Sequence, residues 1–93
     1  MIRSVRDKRI EAIIASRAPK GFPSDLVAST RRKLFMLDNA KALEDLLTPP
    51  GNRLEALKGD RKGQYSIRIN DQFRICFRWL AGNVEDVEIV DYH

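Results

Sequence analysis

The stretch that decides the fold is Phe73-Arg74-Ile75-Cys76-Phe77-Arg78-Trp79-Leu80. Large apolar side chains occupy every second position, and a β-strand sends alternate side chains to opposite faces. The pattern therefore predicts a strand whose buried face carries Phe73, Ile75, Phe77 and Trp79. The opposite face would present two arginines, and a pair of fixed guanidiniums suits a partner that carries phosphate. The simpler interpretation is that these arginines form the solvated side of a half-buried strand.

Other runs predict strands that pair with this one. Tyr65, Ile67 and Ile69 alternate with polar residues, residues 84–90 form a last apolar run, and a brief strand is predicted at residues 53–58. Because short turns join consecutive strands, the pairing should be antiparallel.

The first half of the chain predicts helices. Apolar residues at helical spacing indicate one helix over residues 7–18 and a second over residues 24–39, followed by a short third helix around residues 43–47. The second helix should bury Val27, Thr30, Leu34 and Leu37. Two consecutive prolines at Pro49 and Pro50 then stop the helical half. The expected class is α+β, with helices on one face of the sheet.

Composition limits the class of protein. The 93 residues are 43% hydrophobic and 32% charged, which is typical of one folded domain. No transmembrane run and no apolar signal sequence is present, so we expect a cytoplasmic protein that does not bind membranes. The single cysteine, Cys76, has no disulfide partner within the chain and is predicted to be a packed thiol.

Charge is unevenly distributed along the chain. The net charge is +4, yet residues 53–78 hold seven basic and three acidic side chains, while residues 79–93 hold four acidic and no basic ones. This asymmetry indicates a basic patch, for which nucleic acid is the default partner.

Several kinds of active site are excluded by residue type. One His and one Cys cannot form a zinc site, and no carboxylate cluster or glycine-rich phosphate loop is present, so neither a metal nor a cofactor is expected. RNA cleavage without a metal needs a base, cations that hold the phosphate and an acid. The candidates are Glu55 as base, Lys58, Arg61 and Arg74 as cations, and Tyr92 or His93 as acid or stacking group.

Each of these residues also has a simpler interpretation as an exposed charge or part of a frayed terminus. The spacing adds a geometric condition. Glu55 and Lys58 would lie on opposite faces of a straight strand, so a shared site requires a bulge or a strand that ends before Lys58.

Three segments resemble the HigB branch of the RelE toxin superfamily: residues 51–60, residues 65–77 and the terminal Val90-Asp91-Tyr92-His93. The resemblance implies a RelE-like (microbial RNase-like) fold, in which a two-helix hairpin with long helices packs on a curved antiparallel sheet. It also implies an mRNA interferase of a type II toxin–antitoxin system, which cuts messenger RNA in the ribosomal A site. The implied partners are the ribosome, mRNA and a HigA-like helix-turn-helix antitoxin, with operator DNA contacted only through the antitoxin.

The resemblance also suggests roles for single residues. Some HigB toxins carry a His at the place of Glu55, whereas the related YoeB toxins use a Glu there, with an Arg on a later strand and a His near the terminus. By this similarity Glu55 is the general base, His93 the general acid, Arg74 the phosphate stabiliser together with Lys58, and Tyr92 an orienting or stacking group. The surrounding basic residues predicted to bind RNA are Arg53, Arg61, Lys62, Arg68 and Arg78.

Two alternatives remain open at this level. One is a toxin on the same scaffold that inhibits gyrase without cutting RNA, like the ParE relatives. The other is a basic RNA-binding module, whose affinity should fall steeply with salt. In that module the run Arg31-Arg32-Lys33 should matter as much as Arg74, although on a helix these three side chains wrap around the surface and cannot act as one grip.

Overall fold

One antiparallel sheet with helices packed on a single face makes up the described part of the protein. The computed structural model describes residues 1–92. The helices are α1 (Arg9–Ile14) and α2 (Val27–Asn39), and short 3₁₀ turns cover Ser24–Leu26, Leu43–Leu47, Pro50–Asn52 and Gly59–Arg61. The strands are β1 (Glu55–Ala56), β2 (Tyr65–Arg68), β3 (Phe73–Leu80) and β4 (Asn83–Asp91), in the spatial order β1-β2-β3-β4.

Strand β3 is central, and its predicted bounds are confirmed. Phe73, Ile75 and Phe77 are buried in the core, whereas Trp79 is only partly buried near the strand's end. The antiparallel pairing predicted for the consecutive strands is also confirmed. The alternation of apolar side chains therefore determines which sheet face meets the helices.

A β-bulge explains why the apolar spacing along β4 is irregular. The register shifts between Cys76 and Arg78, so that Asp86 and Val87 both lie opposite one residue of β3. Asp86 has a positive φ of 55°, which lets the chain accommodate the extra residue. Val84 and Val87 consequently both reach the core, although they are three positions apart.

The helical half differs from the prediction in length. Helix α2 and its preceding turn match the predicted span, and the predicted buried residues Val27, Thr30, Leu34 and Leu37 are buried. Helix α1 is shorter than residues 7–18, because Ser16 adopts a positive φ of 61° soon after Ile14 and turns the chain away. The expectation of two long helices is therefore wrong: α1 has six residues and α2 has thirteen.

Strand β1 is also shorter than predicted. Arg53 adopts the left-handed conformation, with φ 45° and ψ 54°, so the extended segment cannot begin there. The strand ends at Ala56, and a final ladder bond from the Leu57 N–H to the Gln64 carbonyl precedes the next turn. Strand β1 therefore pairs over two residues, whereas the prediction covered the six residues 53–58.

An ion pair within the N-terminal segment is attached to β4 by hydrogen bonds. Arg9 Nη2 lies 2.8 Å from Asp7 Oδ2 and donates to the Ile89 carbonyl, while the Ile89 N–H donates to Asp7. Burial opposes ionisation of Asp7, but hydrogen bonds from Arg9 and from the Ile89 and Arg9 backbone outweigh it and lower the pKa of Asp7. The folded protein therefore favours the charged carboxylate.

We expect Asp7→Asn to lower the free energy of unfolding at pH 7 by about 1–3 kcal/mol, because charged hydrogen bonds are lost. Since folding lowers the pKa, this stability is present above the unfolded pKa of about 3.9 and is lost as pH falls through the folded value. Urea unfolding should therefore show a difference between wild type and variant that shrinks below about pH 4. Asp25→Asn is the control, because Asp25 is exposed and has no side-chain partner among residues 1–92. An unchanged difference at low pH would contradict the assignment.

Candidate active site

The sheet face turned away from the helices carries the polar residues. Residues directly opposite each other in antiparallel strands point to the same face. The register places in one row across the four strands Glu55, Ser66, Cys76 and Glu88. Ser66 and Cys76 are fully buried although they lie outside the main core, so a second layer of side chains must cover them.

Arg74 forms the centre of that second layer. Its Nε donates to Ser66 Oγ at 2.8 Å, and its Nη2 donates to the Arg53 carbonyl oxygen at 2.6 Å. The guanidinium carbon also lies 5.9 Å from the centroid of the Tyr92 ring. Two bonds engage two of the five N–H donors of an arginine and fix the plane of the group. The remaining donors can meet phosphate oxygens.

Glu55 lies on the same sheet face as this guanidinium and shares its neighbours. It lies opposite Ser66, the residue that Arg74 contacts, and two positions after Arg53, whose carbonyl Arg74 also holds. The Glu55 side chain is exposed and has no ion-pair or hydrogen-bond partner within residues 1–92. The site therefore combines a positioned cation with an available proton acceptor.

The pKa values of Tyr92 and Cys76 are both raised, so both groups favour their neutral forms. Burial raises the pKa of Cys76, although Arg61 and the hydrogen bond with Tyr92 act in the opposite direction. Burial and then the neighbouring Cys76 raise the pKa of Tyr92. The prediction of a packed thiol is confirmed, because a buried thiol with a raised pKa is a poor nucleophile. Its contact with the phenol orients the Tyr92 ring beside Arg74.

Arg61 is attached to the same face from the β1–β2 connection. Its Nη1 lies 2.6 Å from Glu88 Oε1 and 3.1 Å from Gln64 Oε1. The hydrogen bond to Glu88 is the main cause that raises the pKa of Arg61. The Arg61 guanidinium thereby balances the negative charge of Glu88 on this face of the sheet.

The other predicted site residues lie at different distances from this centre. Strand β1 ends before Lys58, which meets the geometric condition for a site shared with Glu55, and Lys62 is exposed on the same connection. Arg68 lies opposite Arg74 and pairs with Asp71.

Arg78 lies farther from the centre. It forms an ion pair with Asp86 at 3.3 Å and lies four residues from Arg74, which is roughly 13 Å along a strand. The structure thus brings Arg74 and Tyr92 into contact, places Glu55 on the same sheet face, and has Arg53, Arg61 and Arg68 around them. His93, the predicted acid, lies outside the described residues.

Sequence reasoning missed the residues that hold Arg74 in place. Ser66 was interpreted only as a polar position in an alternating strand, yet its hydroxyl accepts the Arg74 bond. Asn52, which directly follows the Pro-Pro-Gly turn, is fully buried and accepts a hydrogen bond from Lys33 Nζ at 2.6 Å. A polar residue directly after a Pro-Pro-Gly turn is the signal that suggests such an anchor.

The three consecutive basic residues on α2 do not form a single binding site. Arg31 donates to the Ile14 carbonyl and stacks over Phe35, Lys33 donates to Asn52, and Arg32 is exposed. The three side chains point to separate places, as predicted for a run that wraps around a helix. This arrangement weakens the interpretation of the chain as an RNA-binding module centred on α2.

The described residues contain neither a metal-binding cluster nor a membrane-spanning helix. Within residues 1–92, His, Cys, Asp and Glu side chains form no group of three or more that could hold a metal ion. None of the helices in this part of the chain is both long and apolar enough to cross a bilayer.

Residues 3–93 match the family model for HigB-like toxins, described as RelE-like toxins of the type II toxin–antitoxin system HigB. The chain belongs to this family. Among relatives of this HigB-like toxin, Toxin HigB-1 of Vibrio cholerae is 50% identical over 60 residues, which span 64% of this chain and 63% of that protein. Endoribonuclease HigB of Proteus vulgaris is 29% identical over 93 residues and covers 100% of both chains.

A solved structure supports the fold of the HigB-like toxin. A chain in the heterotetrameric YoeB–YefM toxin–antitoxin complex from Staphylococcus aureus superposes with a TM-score of 0.62 at 18% sequence identity. The alignment covers 100% of this chain and 98% of that one. The expected RelE-like α+β fold is therefore confirmed, apart from the short first helix.

Proposed function

We propose that this HigB-like toxin is a metal-independent endoribonuclease that cuts messenger RNA in the ribosomal A site and so inhibits translation. The observation that carries the proposal is the placement, on one sheet face, of the fixed Arg74 guanidinium and of the Glu55 carboxylate, which has no side-chain partner within residues 1–92. The name of the Proteus relative, an endoribonuclease, supports the same activity.

The reaction that these groups suit is transfer within the RNA strand. Glu55 takes the proton from a ribose 2′-hydroxyl, and the 2′-oxygen attacks the adjacent phosphorus to give a pentavalent intermediate. The bond from phosphorus to the 5′-oxygen then breaks, and that oxygen takes a proton from His93, the acid implied by resemblance. The products are a 2′,3′-cyclic phosphate and a free 5′-hydroxyl. No water molecule and no oxidant are consumed.

Arg74 stabilises the negative charge that develops on the phosphate oxygens, together with Lys58. A cation that is already held by Ser66 and Arg53 needs little rearrangement when that charge forms. Tyr92 presents its ring beside Arg74 and can stack on a neighbouring base. The remaining basic residues would hold the RNA backbone on either side, namely Arg53, Arg61, Lys62, Arg68 and Arg78.

The exposure of Glu55 supports the proposed dependence on the ribosome. In the free protein this side chain is exposed to solvent. Removing water from a carboxylate favours its protonated form and strengthens it as a base. Message and ribosome together would supply that burial, which makes the translating ribosome the proposed partner and the cytoplasm the proposed place of action.

The proposal includes a HigA-like helix-turn-helix antitoxin as the inhibitory partner. The family consists of toxins of type II toxin–antitoxin systems, and the Staphylococcus neighbour was solved with its antitoxin. Operator DNA would be contacted only through this antitoxin. Co-expression with a HigA-like protein should restore growth and yield a complex that purifies together, and failure of both would overturn this partner.

Primer extension on one message, with and without translating ribosomes, tests the activity. We expect wild-type toxin to produce cuts at A-site codons of the translated message and to leave naked RNA largely intact. Equal cutting of naked RNA would overturn the ribosome dependence. If messages stayed whole while DNA supercoiling was lost, the nuclease proposal would fail in favour of gyrase inhibition.

A further inference from the structure

We propose that Lys33 and Asn52 are positioning residues for Arg74, because they anchor the turn whose carbonyl holds its guanidinium. The inference deepens the proposed nuclease function and rests on it, since Arg74 is the group that would meet the scissile phosphate. Its basis is a set of hydrogen bonds, joined through the peptide bond between Asn52 and Arg53, that runs from helix α2 to the candidate active site.

The first link joins α2 to the loop before β1. Lys33 Nζ donates to Asn52 Oδ1 at 2.6 Å, and Asn52 is fully buried. The Asn52 amide nitrogen donates in turn to the carbonyls of Leu46 and Thr48, at 3.2 and 3.5 Å. A buried amide in contact with three separate groups holds the loop in one arrangement.

The second link is the strained turn that follows. Arg53, the next residue, has a positive φ of 45°, a conformation that costs energy for any residue with a Cβ and persists only when its surroundings hold it. The Arg53 N–H donates to the Pro50 carbonyl at 3.1 Å, which closes the turn. In this conformation the Arg53 carbonyl accepts the 2.6 Å bond from Arg74 Nη2.

Lys33 is an unfavourable residue for a purely structural role at this place. Burial, and then the positive charges of Arg68 and Arg32, lower the pKa of Lys33. A methionine would cover the same apolar surface without that electrostatic cost, because the stem of a lysine is itself apolar. The contribution that methionine lacks is the hydrogen bond to Asn52.

Three variants separate positioning from stability. Lys33→Met removes the donor, Lys33→Arg keeps one, and Ile13→Val is a matched destabilised control, because Ile13 is a fully buried core residue outside the polar face. At a temperature well below every unfolding midpoint, Lys33→Met should lower kcat for ribosome-bound message by about 10- to 100-fold, the scale for a small misplacement of a catalytic group. KM should stay nearly constant, Lys33→Arg should recover part of the loss, and Ile13→Val should cut like wild type.

A second measurement does not depend on cleavage. The Arg74 Nε–H is hydrogen-bonded to Ser66, so its exchange with water, followed by NMR, reports how firmly the guanidinium is held. Exchange should become several-fold faster in Lys33→Met and remain unchanged in Ile13→Val. If exchange became faster in Lys33→Met but the wild-type protein cut no RNA, the positioning role would stand. The proposed function would then be refuted. Unchanged exchange, or wild-type cleavage by Lys33→Met, would overturn the inference.

Discussion

Glu55→Gln is expected to reduce cleavage of ribosome-bound message by about 10²- to 10⁴-fold, the usual contribution of a general base. The glutamine side chain has nearly the same shape, but its amide cannot accept the 2′-hydroxyl proton at neutral pH. The Glu55 side chain is exposed and has no partner within residues 1–92, so the substitution removes no intramolecular interaction of the described chain.

The measurement combines primer extension with an unfolding experiment on the same preparation. The free energy of unfolding should change by less than about 0.5 kcal/mol, as for other surface substitutions. Glu11→Gln on α1 is the matched control, because it removes an exposed carboxylate that is not on the polar sheet face. Wild-type cleavage by Glu55→Gln would refute the assigned base, whereas loss of cleavage by Glu11→Gln would indicate a general charge effect.

The central sheet was predictable because its signal is local. In β3 the alternation of apolar and polar residues determines which side chains reach the core, and the observed bounds of the strand agree with it. Helix α2 was predictable for the same reason, because its buried residues recur at helical spacing. In both elements hydrophobic burial and backbone preference favour the same structure.

The errors fall where single residues adopt left-handed backbone conformations. Ser16 and Arg53 both have positive φ, and these two residues account for the short α1 and for the late start of β1. Asp86 also has a positive φ, and it lies at the bulge in β4. The three-residue spacing of Val84 and Val87 is the sequence feature that indicates this bulge. Residues other than glycine seldom adopt this conformation, so residue type rarely predicts where the backbone turns left-handed.

The candidate site was predictable in its residue types but not in its supports. The resemblance singled out Glu55 and Arg74, and the register places both on one face of the sheet, Glu55 on β1 and Arg74 on β3. The contacts that hold them depend on tertiary structure, because Lys33 and Asn52 are nineteen residues apart and Arg74 and Arg53 twenty-one. Hydrogen bonds of this kind leave no periodic pattern in a sequence.

Arg74→Ala is expected to lower cleavage by about 10²- to 10³-fold, as when one preorganised donor to a developing anion is lost. Arg74→Lys should recover little of this loss, although it keeps the charge. A lysine offers one compact ammonium group, whereas the planar guanidinium reaches Ser66 and the Arg53 carbonyl at once and still has donors for phosphate. The comparison of the two variants therefore separates geometry from charge.

The same assay with Arg17→Ala and Arg17→Lys supplies the control, because Arg17 is an exposed arginine beyond α1. Arg74→Ala also leaves the buried Ser66 hydroxyl without its donor, so the free energy of unfolding should fall by about 1–3 kcal/mol and cleavage must be measured well below the unfolding midpoint. If Arg74→Lys cut as well as wild type, a positive charge alone would be sufficient, and the fixed planar guanidinium would have no role. If Arg74→Ala cut as well as wild type, the phosphate would have to be held elsewhere, and the polar face of the sheet would not be the active site.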